Sequence, residues 1–377
     1  MAQATAENMK QTILITGAAG YLGWALSLYL AKRRKEYQII CLDNYSKDNL
    51  AAQGGNPSFT ETITIPERIR LYNNSARNYN VEFIYGDLLR QEVIEEILIK
   101  HNPTIIIHLA QQSSANFCAK NIETIEWTHK NNTDPLINIM WNMSKICPDA
   151  TLIKTFPLNL YHGTGIEGTE DRIFLSYKDN HIRCPPFKVA HNVYEVSKLA
   201  ENNYATQLSK KWKIKVIDIG LGELYGLPEV ENNKWHNKLY SDNVFGTIIN
   251  RFLVQAVLNS KVFIYGNENR KIGVLDINDA VKAFDLLIKN IDNKKSYSNL
   301  NLFSEVTKIK DIIDVLEKSS KKLGLDPFIK RGNESEETLF DPINNKIQKM
   351  GMKFISTENG ISFHLEKMKE YKKTLEG

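Results

Sequence analysis

Thr12-Ile-Leu-Ile-Thr16, running straight into Gly17-Ala-Ala-Gly20-Tyr-Leu-Gly23, decides the fold. A short apolar, β-branched run of this kind suits a strand buried on both faces of a parallel sheet. The glycines follow at its end, and an apolar-periodic helical segment over 24–31 begins where they stop. Glycine leaves the backbone amides of a helix N-terminus uncovered, which is what an approaching phosphate needs. The spacing is GxxGxxG rather than the commoner GxGxxG, so the context, strand before and helix after, points to a dinucleotide rather than a plain tight turn.

Outward from this stretch the alternation continues. Strands are predicted over 37–42, 81–85, 104–108 and 150–154, with helices over 91–100 and 131–145. Such alternation implies βαβ units and an α/β fold with a right-handed, doubly wound parallel sheet. A long polar segment over 46–80 holds Gly54-Gly55, Asn56-Pro57 and a weak helical stretch near 66–72. A connection of that length reads as functional or disordered. Past residue 185 the pattern is less regular, with strands over 215–220 and 262–265 and helices near 279–290, 308–323 and 363–374. The expected organisation is a nucleotide-binding domain over 1–185, joined by returning segments at about 213–230 and 270–300. A smaller, interleaved α/β region over 186–377 is then mainly substrate-binding.

Composition sets the outer limits. With 377 residues and 42% hydrophobic side chains, the chain can bury a core without disulfide or metal. Its 48 Lys+Arg against 44 Asp+Glu leave a net charge of +4, too small and dispersed for a nucleic-acid-binding face. Cys41, Cys118, Cys147 and Cys184 stand far apart, with no CxxC pair, which argues against a metal centre or a disulfide framework and for a reduced compartment. The opening MAQATAENMKQ lacks a signal-peptide core, and the apolar stretch over 12–31 is interrupted by glycines. No membrane span and a cytoplasmic location are therefore expected.

Three further features carry chemistry. Asp43 closes the second strand, where a carboxylate accepts the adenosine ribose hydroxyls and repels a 2′-phosphate, so NAD is preferred over NADP. Asp87, in Gly86-Asp87-Leu88, is placed either to meet the adenine edge or to cap the helix over 91–100. Tyr194-Glu-Val-Ser-Lys198 sets a phenol and an ammonium on one helix face, where the cation lowers the phenol's pKa and prepares it as a base.

Together these residues resemble the extended short-chain dehydrogenases/reductases, with a Rossmann-type sheet, and within them the UDP-sulfoquinovose synthase branch. Leu224-Tyr225-Gly226, Asp48-Asn49-Leu50, Arg68-Ile-Arg70, the stretch from Asn243 to Ala256, Leu275-Asp276 and Asn301-Leu-Phe-Ser-Glu305 extend the likeness over roughly 12–355. The resemblance implies that Tyr21, Leu22, Asn44, Leu88, Leu109, Ala110 and Gln111, together with Tyr194 and Lys198, complete the NAD surface. It also implies a UDP-sugar or similar small molecule against Asn250, Arg251, Tyr265 and Arg270, and a homodimer formed through the helix of Tyr194 and its neighbour. An ordinary core role for Tyr265 and a surface ion pair for Arg251 are the plainer alternatives.

One segment departs from that branch. The family places Ser or Thr after the strand near Lys154, and the branch has Thr-Met-Gly-Glu-Tyr-Gly. This chain reads Lys154-Thr155-Phe156-Pro157-Leu158-Asn159-Leu160-Tyr161-His162-Gly163. Pro157 falls on the hydroxyl position and offers neither hydroxyl nor amide donor, and Leu160 replaces the acid. Thr155 and Glu195 are the candidate substitutes, each with a spectator reading beside it; His162 and His191 lie near in sequence. The leading expectation is an enzyme that modifies a nucleotide-activated sugar through a transient ketone, with NAD held and regenerated. The alternatives are an NAD-dependent enzyme of a non-sugar metabolite and an NAD-binding sensor that has lost catalysis.

Overall fold

The computed structural model describes residues 11–56, 58–76, 80–291, 297–335 and 339–376. The reading of the opening residues as leaderless, Pro57, and part of the expected returning segment over 270–300 lie outside them. Strands in chain order are β1 (Gln11–Thr16), β2 (Tyr37–Asp43), β3 (Val81–Tyr85), β4 (Ile105–His108), β5 (Thr151–Pro157), β6 (Ile173–Tyr177) and β7 (Asn180–Cys184). They continue with β8 (Lys215–Leu221), β9 (Glu223–Tyr225), β10 (Lys261–Phe263), β11 (Lys271–Asp276), β12 (Tyr297–Leu302), β13 (Glu305–Lys308) and β14 (Phe328–Lys330). Helices are α1 (Tyr21–Arg33), α2 (Ser46–Gln53), α3 (Ile65–Ala76), α4 (Gln91–His101), α5 (Ala115–Cys118) and α6 (Ile122–Ile146). The remainder are α7 (Val193–Trp212), α8 (Ile248–Val257), α9 (Ile277–Lys289), α10 (Ile309–Lys322), α11 (Asn345–Lys349) and α12 (Thr357–Glu376).

The main sheet has seven strands in the order β12-β8-β5-β4-β1-β2-β3, all parallel. Side chains alternate across it with the period of two that strands impose. Ile13, Ile15, Ile39 and Ile107 pack on one face, and Leu14, Ile40, Ile106 and Leu152 on the other. β1 lies between β2 and β4, so the chain runs outward in one direction through β3 and then crosses back to β4. At such a reversal the connections leave in opposite directions and open a crevice beyond the strand ends. The glycine loop after β1 and the segment Leu109–Gln111 after β4 stand at its mouth.

A second cluster gathers under β9 and β11, where Phe252 and Leu253 of α8, Ile312 of α10 and Leu365 of α12 are buried together. α12 is fixed by His364, whose Nε2 lies 2.6 Å from Asp276 Oδ2 and whose Nδ1 accepts the Leu227 amide at 3.1 Å.

The segment over 46–80 is more ordered than its composition suggests. It forms α2 and α3 and docks on the stretch 232–247. Phe59 N donates to Leu239 O at 2.8 Å, Tyr240 Oη donates to Asp48 at 2.9 Å, and Arg68 Nη1 donates to His236 O at 3.0 Å. Elsewhere the strand expected over 150–154 runs on to Pro157, and the helix expected from 131 begins at Ile122. There Asn121 and Thr124 form a reciprocal cap. The hairpin β6–β7 was not anticipated.

Candidate active site

Gly17 has φ +71, and a Cβ there would sit 2.6 Å from Ala110 N. A Cβ on Gly23 would collide with the Gly17 carbonyl, so both glycines are required by close backbone approach. Gly20 starts α1 with no side-chain cap, leaving the first-turn amides open toward an anion. Gly17→Ala is expected to cost about 1–3 kcal/mol in urea unfolding, from the left-handed backbone and the clash together, and to weaken dinucleotide binding.

Asp43 is built into this loop. Its Oδ2 accepts Ala19 N at 2.9 Å and its Oδ1 accepts Tyr45 N at 2.7 Å. Burial pushes its carboxyl upward, against the amides of Tyr45 and Ala19 that favour the charge. Asp43, Asn44, Asp87, Leu88 and Ala110 line a pocket that shares Gly17, Gly20, Leu109 and Gln111 with a larger cleft. Tyr21, Leu22, Gly23 and Tyr194 line that cleft as well. Asp87 does not cap α4, whose N-cap is Arg90; its Oδ1 accepts Leu89 N at 2.9 Å.

α7 carries the Tyr–Lys pair. Its start is set by Asn192, whose side chain accepts Glu195 N at 3.0 Å, while Glu195 Oε2 accepts His191 N at 2.8 Å. Tyr194 faces the cleft, but Lys198, 1% exposed, is sealed beneath it. Its Nζ donates to Gln111 Oε1 and to Glu201 Oε2, and Gln111 Nε2 reaches Thr155 Oγ1 at 3.2 Å. The expected lowering of the phenol by Lys198 is not what these side chains produce. Burial and the carboxylates of Glu201, Glu223 and Glu195 push the Tyr194 phenol up, while burial pushes the Lys198 ammonium down against the pull of Glu201. Below lies a second buried cation: Lys154 Nζ is 2.9 Å from Asp218 and 3.5 Å from Glu201.

Both candidate substitutes for the missing hydroxyl line the cleft, and both are engaged: Thr155 with Gln111, and Glu195 with the start of α7. Glu195 is buried rather than solvated. Pro157 faces the same cleft, whereas Leu160 is core. Neither His162, stacked on Phe340 at 4.0 Å, nor His191 is among the cleft-lining residues.

The opposite wall holds Asn250, Arg251, Tyr265 and Arg270, and the cleft has a volume of about 710 Å³. Among the described residues Arg251 forms no ion pair and keeps a buried Nε without a partner; it donates to Asn243 and lies 5.3 Å from the Tyr265 ring centre. Tyr265 is 61% exposed and is not core. Asn250 is more structural than expected, because its Oδ1 is taken by the Gly226 amide at 2.7 Å. Two acids were missed. Glu201 had a visible signal in Lys198-Leu-Ala-Glu201, an i,i+3 pair; Glu223 had none.

The sequence pattern of the NAD dependent epimerase/dehydratase family matches residues 13–302. The chain belongs to that family. As a family member it is similar to the chloroplastic UDP-sulfoquinovose synthase of Spinacia oleracea, 27% identical over 352 residues that cover 91% of this chain and 72% of the relative. The UDP-sulfoquinovose synthase of Sulfolobus acidocaldarius is 24% identical over 359 residues, covering 90% and 87%. Among solved structures, Bacillus cereus UDP-glucuronic acid 4-epimerase with UDP-glucuronic acid and NAD shares the fold at TM-score 0.67 and 17% identity, with 96% and 99% covered. NAD is the cofactor of the family. The cradle at Gly17 and Gly23 and the carboxylate of Asp43 fit it. No helix among the described residues is long and apolar enough to cross a membrane.

Proposed function

We propose that the chain holds NAD from Asp43 to Tyr194 and transiently oxidises a hydroxyl of a nucleotide-activated sugar whose diphosphate lies against Arg251 and Arg270. One observation carries the reading: Tyr194 and the two arginines face a single cleft entered by the glycine loop. Bound NAD supplies a reversible two-electron acceptor. Tyr194 takes the hydroxyl proton as the ketone forms. Lys198, with its charge shared by Glu201, is held through Gln111 toward Thr155. The guanidinium groups match phosphate oxygens in a fork geometry that lysine lacks. The sugar ketone acidifies its neighbouring C–H and so permits epimerisation, elimination or addition; returning the electrons closes the cycle. Pro157 and Leu160 provide no groups for sulfite addition, so the proposal extends only to the keto-sugar step. A homodimer through α7 belongs to the same reading, supported by Val196 and Tyr204, which stand exposed on that helix.

Thermal unfolding tests this. NAD at a hundred times its Kd is expected to stabilise the fold by about 2.7 kcal/mol, with NADP much less effective, and a UDP-sugar is expected to add to the NAD effect. Protection by NAD with no contribution from any UDP-sugar would instead favour the non-sugar metabolite.

A further inference from the structure

The cleft contains a carboxylate that neither the fold nor the proposed proton transfer uses. Glu223 opens β9 and is placed by pairing with Val274 of β11. Two residues earlier, Leu221 is the register partner of Pro157. The acid therefore follows directly on the strand beside the one whose end lacks a hydroxyl. Among the described residues no hydrogen bond or ion pair reaches its side chain, which lines the cleft. Burial raises its carboxyl, and the charges of Arg270 and then Arg251 oppose that rise. Tyr194 lines the same cleft, and its phenol responds to Glu223 after burial and Glu201.

Glu223 thus lines one cleft with both arginines and with Tyr194, the groups that the proposed function assigns to a diphosphate and to a reacting hydroxyl. A diphosphate brings negative charge to Arg251 and Arg270 and satisfies them. The charge on Glu223 is then left facing the sugar. We infer that Glu223 is a specificity-determining residue, accepting hydrogen bonds from the hydroxyls of an uncharged nucleotide-linked hexose and rejecting a ring that carries a carboxylate or sulfonate. The inference rests on the nucleotide-sugar reading above. Hydroxyls donate to a carboxylate, whereas a second anion in a partly desolvated cleft meets like charge with no compensating partner.

Calorimetric titration of the NAD-loaded full chain with UDP-glucose and UDP-glucuronate tests it. UDP-glucose is expected to bind about tenfold more tightly or better, and Glu223→Gln to shrink that ratio to within about threefold, chiefly by strengthening the uronate. Equal affinities in the unaltered protein overturn the inference, and this arm stands alone if the variant does not fold. A preference unmoved in Glu223→Gln overturns it as well. Binding of neither nucleotide sugar, with NAD still bound, defeats the underlying nucleotide-sugar reading, a result distinct from binding without discrimination.

Discussion

Tyr194→Phe is expected to lower turnover of the nucleotide sugar by about a hundred- to ten-thousand-fold, the contribution typical of a positioned acid–base group, with NAD affinity changed far less. The side chain lines the cleft, and among the described residues no hydrogen bond occupies its oxygen, so phenylalanine removes the proton acceptor and preserves the packing. Burial and three carboxylates hold the phenol protonated in the protein alone. A proton-accepting form must therefore be created when cationic charge enters the cleft. The measurement is product formation by chromatography alongside NAD calorimetry. Undiminished turnover in the variant would remove Tyr194 from the chemistry, and NAD binding without turnover in the unaltered protein would favour the sensor reading.

Lys154→Met is expected to destabilise the fold by about 3–5 kcal/mol, because it leaves the carboxylate of Asp218 buried without its cation. Both side chains are fully buried, 2.9 Å apart, on register partners of β5 and β8. Tyr297 Oη also donates to Asp218, at 2.7 Å. Burial alone would raise the Asp218 carboxyl; Lys154 and then Lys188 outweigh it and hold the group below its ordinary 3.8. A carboxyl depressed by folding contributes stability above its unfolded pKa and loses it as pH falls through its folded one. The gap between Lys154→Met and the parent in urea is thus expected to be widest near neutrality and to close below about pH 4. A Lys154→Met/Asp218→Leu double variant should recover a large part of the loss, since an apolar pair replaces the ion pair rather than breaking it.

What was legible in the sequence was local. Thr12 to Gly23 encodes strand, turn and helix within one stretch; Gly20 and Gly23 are fixed by the nearby Gly17 carbonyl, whereas Gly17 is fixed by Leu109 and Ala110 from the distant end of β4. Tyr194 and its helix could be read from i,i+4 spacing, and Asp43 from its place at a strand end. Pairings across the chain were not legible. Glu223 enters the cleft because β9 adds to β11 some fifty residues on, and nothing adjacent to it announces that partner. The bonding of Lys198 to Gln111 joins positions 87 residues apart and diverts a cation that spacing alone assigns to the phenol. Hairpin β6–β7 escaped because its turn places Lys178, not glycine, at φ +52.

The position of His364 bears on the order in which the protein is made. Domains generally fold as they leave the ribosome, at about 5–20 residues per second. Strands β1 to β5 and β8 have emerged long before α12, and with them the surface that receives the dinucleotide. His364 then reaches back to Asp276 and the Leu227 amide, and its ring fills the space a side chain at Gly226 would need. The cofactor half can thus form during translation, while the floor of the opposite half waits for residues 357–376. The side of the cleft proposed for the dinucleotide is therefore synthesised well before the floor of the side proposed for the sugar.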